Sequence, residues 1–342
     1  MFTQKIGIDL GTANVLVCVK GKGIVVREPS VVAIAPKENK VVAVGTQAKS
    51  MLGRTPSSIQ VIRPMRAGVI ADYLVTEAML RHFIRRVRGP FNLGNPEVIV
   101  SIPAGSTPVE KRAVQEAAES AGAKKPAHLV PEPLAAAIGA RLPVHLPRGN
   151  MVVDLGGGRA EAAVISMYGM VVSESVRVAG DSIDDAIVAY VKRRHNLIIG
   201  ERTAEDIKLE IGSATVIEEL TAEVRGRDQI TGLPRTVTVS SKEIAQAISD
   251  CLNTVLTMVK TVLERTPPEL ISDVIDQGIV LTGGGALLRN IDKFLAHETG
   301  VPCQSAEDPM NCVAVGAGLA LEHLDVIKRN LPSEEESLVA TY

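Results

Sequence analysis

One pattern is written twice in this chain: an apolar run ending in aspartate, a glycine-rich turn, and a second apolar run. The first copy is IGIDLGTANVLVCV, Ile6 to Val19, and the second is VVDLGGGRAEAAVI, Val152 to Ile165. Each reads as a hairpin of two strands. Such a duplication constrains the chain to two similar half-domains, and the simplest arrangement sets them facing each other. Gly11 in one turn and Gly156, Gly157 and Gly158 in the other permit tight bends and let backbone N–H groups approach an anion closely. Thr12 and Asn14 add side-chain donors. Two such turns across a cleft could clamp a polyphosphate from both sides. Asp9 and Asp154, at the matching strand ends, cannot bind phosphate directly, since like charges repel. They make sense with Mg²⁺, mostly through water, between carboxylate and phosphate. Either hairpin alone is only a tight turn; the matched pair carries the reading.

Strand and helix patterns alternate through most of the remainder, which predicts α/β architecture. GIVVREPSVVAIAP continues the β pattern after the first hairpin, and helical periodicity covers Val75–Val87 and Val109–Ala121. EVIVSIP, Glu97 to Pro103, reads as a buried strand, and PEPLAAAIGA as a small-residue helix opening at Pro131 or Glu132. LPVHLPRGN, Leu142 to Asn150, reads as a domain boundary, after which the plan restarts. Helices are expected over Ser182–Arg194, Thr203–Ile211 and Ser241–Arg265, with a hairpin around Thr231–Gly232. A third glycine run, LTGGGALL, follows an apolar strand and is expected to open a helix from Ala286. CVAVGAGLALE, Cys312 to Glu322, is a second small-residue helix matching PEPLAAAIGA.

Composition excludes more than it proposes. With 342 residues the chain can hold two domains, and a net charge of −2 gives no reason to expect nucleic acid as a partner. Aromatics at 2% leave no platform for stacking bases. Four cysteines without CxxC or zinc-like spacing favour the reducing cytosol. MFTQKIGIDLG enters its first strand at once, which predicts no signal peptide, and no window of 18 uncharged apolar residues predicts a transmembrane helix. GTQAKS lacks the second glycine of a Walker A motif before Lys49, and no GxGxxG occurs. The six histidines and the serines form no metal-ligand or Ser/His/Asp spacing.

The set IGIDLGTAN, PEPLAAAIG, VVDLGGG, LTGGGALLRNI and CVAVGAGLALE resembles the five motifs of the actin, sugar kinase and heat-shock chaperone superfamily. The wording between them, in GKGIVVREPSVVAI, RPMRAGVIADYLVTEAML, GERTAEDIKLEIGSA, EVRGRDQITGLP and TPPELISDVIDQGIVLTGGGALLRNIDK, is similar to the MreB family of bacterial actins, from about Ile6 to Glu322. The resemblance implies a duplicated ribonuclease H-like fold of two lobes around a nucleotide cleft. Lobe I would span 1–144 plus 316–330 with a small subdomain at about 32–66, and lobe II 145–315 with one at about 182–240; 331–342 would be a disordered tail. It further implies ATP with Mg²⁺. Thr12, Ala13 and Asn14 would lie on the phosphates, faced by Gly156, Gly157 and Gly158. Glu205 and Lys208 would reach ribose and adenine, and Gly284, Gly285 and Ala286 would close the adenosine side. Asp9 and Asp154 would hold the hydrated ion. Without the resemblance, Glu205 and Lys208 are simply an i,i+3 ion pair on a solvated helix. Glu132 is the candidate for orienting or activating the attacking water, held between Pro131 and Pro133 at a helix start whose dipole would keep it ionised; a purely capping carboxylate is its plainer reading.

The chain departs from the family pattern at two places. Arg159 and Ala160 stand where the family usually has two threonines, and Pro131–Glu132–Pro133 where it has Glu-Glu-Pro. Slow hydrolysis is the expectation, with Arg159 pairing either phosphate or Glu161. RHFIRRVRG places Arg81, Arg85, Arg86 and Arg88 beside Phe91 and Leu93, which suits an anionic membrane surface; helix C-terminal complementation with Phe91 packed inward is the plainer reading. An N-terminal amphipathic helix is essentially missing, since only Met1 and Phe2 could contribute. By resemblance the chain is a cytoplasmic ATPase that forms paired protofilaments, lies peripherally at the inner face of the membrane and works with the cell-wall elongation machinery. Head-to-tail contacts generate such open polymers. The alternatives are a small-molecule kinase of the same superfamily, a chaperone-like ATPase and a plasmid-segregation or division actin.

Overall fold

In the computed structural model, residues 4–38, 40–88 and 94–330 are described. Two five-stranded mixed sheets are built to one plan. In the first, Lys5–Leu10 is central. Asn14–Val19 and then Gly23–Pro29 add antiparallel on one side, and Glu97–Ile102 and His128–Pro131 add parallel on the other. In the second, Asn150–Leu155 is central, with Ala160–Ser166 and Gly169–Val176 antiparallel on one side and Ile279–Thr282 and Cys303–Ser305 parallel on the other. The strand runs read as nearly unbroken apolar stretches because both faces of each sheet are covered. Asn150–Leu155 is buried at every residue.

The parallel strands arrive by helical crossovers, as the geometry of parallel pairing requires. Tyr73–Arg88 precedes Glu97–Ile102, and Pro108–Ser120 precedes His128–Pro131. Ser241–Arg265 has the expected bounds. A capping box starts it: the Ser240 hydroxyl accepts the Glu243 N–H, and the Glu243 carboxylate accepts the Ser240 N–H. Pro268–Gln277 and Leu324–Asn330 are helices with no counterpart in the sequence reading. The helix expected from Ala286 begins instead at Ile291. Gly284–Leu287 is a single 3₁₀ turn, and Asn290 at φ 59° breaks the path between the two.

The two small-residue helices, Glu132–Gly139 and Cys312–Ala320, pack on each other at backbone distance. A Cβ on Gly316 would stand 1.7 Å from the Ala135 carbonyl oxygen, and one on Gly139 1.8 Å from that of Cys312. Their apolar faces, with Val152, Ala163 and Ile165 of the second sheet and Ile99 and Val130 of the first, form a core shared by both halves. Two small three-stranded sheets flank the cleft. One holds Val32–Ala35, Lys40–Val44 and Gln60–Ile62; the other holds Leu197–Ile198, Thr221–Asp228 and Pro234–Ser240. No single helix among the described residues is long and apolar enough to cross a membrane.

Candidate functional site

A cleft of about 370 Å³ lies between the halves, lined by both acidic turns, the third glycine run and the helix Glu201–Ile211. The Gly11–Asn14 turn is pinned from behind. Ser30 donates through Oγ to the Gly11 carbonyl (2.6 Å) and through N–H to that of Ala13 (2.9 Å), and Thr12 Oγ1 accepts the Gly68 N–H at 2.8 Å. In the second turn the Gly156 N–H donates to the Arg159 carbonyl (3.0 Å). The helix Gly180–His195 starts against this turn, with Gly180 and Asp181 N–H groups on the carbonyls of Gly156 and Gly157.

The turns touch each other, and only glycine allows it. A Cβ on Gly157 would sit 2.7 Å from Ala13 Cβ, and one on Gly158 2.6 Å from Thr12 Oγ1. The structure therefore brings together Asp9, Thr12, Ala13, Asn14, Glu132, Asp154 and Gly156 to Gly158 around one space. The third run closes another wall. Gly283, at φ +78°, lies against the end of Asn150–Leu155, where a Cβ would meet the Leu155 carbonyl at 2.5 Å, while the face of Gly284 is open. Ala286 is not at the surface of the cleft; it is buried behind this wall, and its carbonyl accepts the Ser305 hydroxyl at 3.1 Å.

The carboxylates are held in a matching way. Asp9 Oδ1 accepts the Ser101 hydroxyl at 3.1 Å and Asp154 Oδ1 that of Thr282 at 2.7 Å, each from the adjoining parallel strand. Burial, and then the nearness of Asp154, pushes Asp9 up to about 7; burial pushes Asp154 up to about 6 against its bond to Thr282. The expectation that a helix start keeps Glu132 ionised is countered by its surroundings. Burial, followed by Glu161, Asp9 and Asp154, raises it well above its ordinary value, and Arg159 opposes them.

Glu161 joins this group although the sequence reading gave it no site role. It is buried, lies directly opposite Asp154 in the antiparallel ladder, and accepts the Ala104 N–H at 3.1 Å. Burial first raises it to about 7. Pairing residues outward from the turn, Leu155 with Ala160 and then Asp154 with Glu161, would have found it. Arg159 makes no hydrogen bond to Glu161. Its Nε donates to the Ala67 carbonyl at 3.1 Å and its Nη1 to Ser175 Oγ at 2.9 Å.

Glu205 and Lys208 both line the cleft but do not pair with each other. Glu205 accepts Lys49 Nζ at 2.9 and 3.1 Å, and Lys208 donates to Asp184 at 2.9 Å and to the Gly180 carbonyl at 3.1 Å. For a metal, two hydroxyl-anchored carboxylates, Asp154 close enough to raise Asp9, form a hard oxygen donor set that fits a divalent cation. Among the described residues no group of three or more metal-ligating side chains converges, so these carboxylates fit an ion held largely through water. Phe91 and Leu93, Met1 and Phe2, and the tail 331–342 lie outside the described residues. In the helix Tyr73–Arg88, Arg86 is paired to Glu28 at 2.8 Å and Arg81 to Glu77.

The sequence profile of the family described as MreB/Mbl protein matches residues 3–329. The cell shape-determining protein MreB of Escherichia coli is 53% identical over 341 residues, covering 98% of this chain and 98% of the relative. The cell shape-determining protein Mbl of Bacillus subtilis is 51% identical over 335 residues, covering 97% and 100%. Among solved structures, MreB5 of Spiroplasma citri bound to AMPPNP superposes with a TM-score of 0.89 at 37% identity, covering 97% of this chain and 100% of that one. Matched over nearly its whole length and carrying the duplicated, actin-like fold, this chain belongs to the MreB/Mbl family.

Proposed function

We propose that this protein is an ATP-binding, filament-forming cytoskeletal protein that determines cell shape. The observation that carries the reading is the meeting of two glycine turns, each beside an aspartate, across one cleft in a chain of this family. The names of the relatives and the nucleotide in the solved one support it. On this reading residues 1–144 with 316–330 form one lobe and 145–315 the other, with smaller subdomains at about 32–66 and 182–240.

The backbone N–H groups of Thr12, Ala13 and Asn14, and of Gly156, Gly157 and Gly158, bind the phosphates from opposite sides. Gly284 and Gly285 form the adenosine wall, and Glu205 and Lys208 orient ribose and base. Asp9 and Asp154 would hold Mg²⁺, mostly through water, and the ion would screen phosphate charge. Glu132 orients the attacking water, and its ionised form accepts the water's proton at a carboxylate oxygen. Arg159 and Ala160 bring no hydroxyl to this place, so turnover is slow; a phosphate-release rate equal to that of the E. coli relative would sink that part. Closure of the cleft favours head-to-tail assembly into paired protofilaments. These lie in the cytoplasm against the inner membrane face through Phe91 and Leu93 and organise cell-wall synthesis.

The test is sedimentation and negative-stain microscopy of the full chain with Mg-ATP, with and without anionic liposomes. Nucleotide-dependent filaments that co-sediment with liposomes are expected. A chain that binds ATP and stays monomeric in every condition overturns the filament reading.

A further inference from the structure

A triphosphate entering this cleft meets the carboxylates of Asp9, Glu132 and Asp154, with Glu161 buried opposite Asp154, so the positive charges nearby decide whether it can stay. Of the other cations lining the cleft, Arg289 donates to the Leu209 carbonyl and is not among the groups acting on these carboxylates, and three are already committed to carboxylates. Lys49 is paired with Glu205 and Lys208 with Asp184, and Arg63 reaches Glu201 at 3.2 Å. Arg159 differs from all three. It lines the cleft and acts electrostatically on both Glu132 and Glu161, yet its hydrogen bonds go to neutral oxygens, and it makes no ion pair among the described residues.

Its guanidinium is also held from both halves. The Ala67 carbonyl belongs to the turn between Met65–Arg66 and Val69–Ile70, and Ser175 to the strand Gly169–Val176 of the second sheet. The same turn gives the Gly68 N–H to Thr12, so one short segment fixes both the first glycine turn and Arg159. A side chain so anchored loses little further freedom on meeting an anion, and a fixed guanidinium suits phosphate oxygens.

We propose that Arg159 is the residue by which this cleft distinguishes a nucleoside triphosphate from a diphosphate, supplying the charge that the terminal phosphate needs among these carboxylates. The proposal rests on the nucleotide reading above.

The test is equilibrium competition against a fluorescent ADP, in Mg²⁺, by ADP and by AMPPNP, for the full wild-type chain and for Arg159→Ala and Arg159→Lys. Arg159→Ala is expected to weaken AMPPNP by roughly 10- to 100-fold, the worth of a charge-assisted hydrogen bond, and ADP by less than about three-fold; Arg159→Lys recovers part of the loss. Retained ADP affinity reports that the variants are folded. Equal losses for the two nucleotides, with a lowered melting temperature, overturn the proposal and make Arg159 a strut between the halves. An unchanged ratio overturns it as well. A wild-type chain that binds neither nucleotide overturns both readings together.

Discussion

Asp9 and Asp154 lie at equivalent strand ends and receive equivalent hydroxyl bonds, from Ser101 and Thr282. Burial lifts both from an ordinary 3.8, to about 7 and about 6. Between those limits the folded chain holds protons that the unfolded chain releases. This contribution to stability is therefore full at low pH and is lost as pH rises toward the folded values. In metal-free, nucleotide-free buffer, the urea midpoint of Asp9→Asn should fall less than that of wild type between about pH 5 and about pH 8. Parallel pH profiles would show that Asp9 is not the group responsible. At Glu132 the expected outcome concerns chemistry instead of folding. Glu132→Gln keeps the shape and the bound nucleotide but cannot accept a proton, so phosphate release should drop by about 10²- to 10⁴-fold with nucleotide affinity nearly unchanged. Single-turnover release beside a binding titration separates the two.

The element that ties the halves together is the helix pair Glu132–Gly139 and Cys312–Ala320. The sequence announced both helices by their small residues, but not why those residues are small. At Gly316 an added methyl would stand 1.7 Å from a backbone oxygen, which no rotamer change can relieve. Gly316→Ala is therefore expected to cost about 1–3 kcal/mol or more, as overpacking does in a filled core. Gly284→Ala, with open space around the glycine, should leave stability nearly unchanged. Denaturant titration of the two variants side by side checks the contrast, and equal effects would mean that the helix pair can slide apart.

Over the whole molecule, the mouth of the cleft is bridged by two ion pairs from opposite sides. Lys49 of the short helix Thr46–Ser50 meets Glu205, and Arg63 meets Glu201, both acids lying on Glu201–Ile211. These side chains are a third or more exposed, so each pair is worth at most about 1 kcal/mol and is screened by salt. Release of a fluorescent nucleotide should quicken by no more than about five-fold in Lys49→Ala or in high salt, and salt should lose part of its effect in the variant. Stopped-flow release that ignores both salt and substitution would mean that the cleft opens elsewhere.

The periodicities and glycine runs by themselves determined a duplicated α/β fold, both hairpins with their acidic turns, and the long helix Ser241–Arg265, because these rest on local rules of pleat, helical period and turn chemistry. The candidate site was legible as far as it lies in the turns: Thr12, Asn14, the Gly156 run and the two aspartates needed only their own neighbours to be noticed. Tertiary structure alone decided the rest. Glu161 is a site residue because an antiparallel register sets it opposite Asp154. Ala286 is not at the surface because a 3₁₀ turn folds it inward. Glu205 and Lys208 exchange their local pairing for partners across the cleft and along its wall. Glu132 is pushed well above its ordinary value because burial, and then three acids distant in sequence, disfavour its charge. Local geometry can be read from neighbouring residues, whereas electrostatics and burial are sums over groups that only the folded chain brings together.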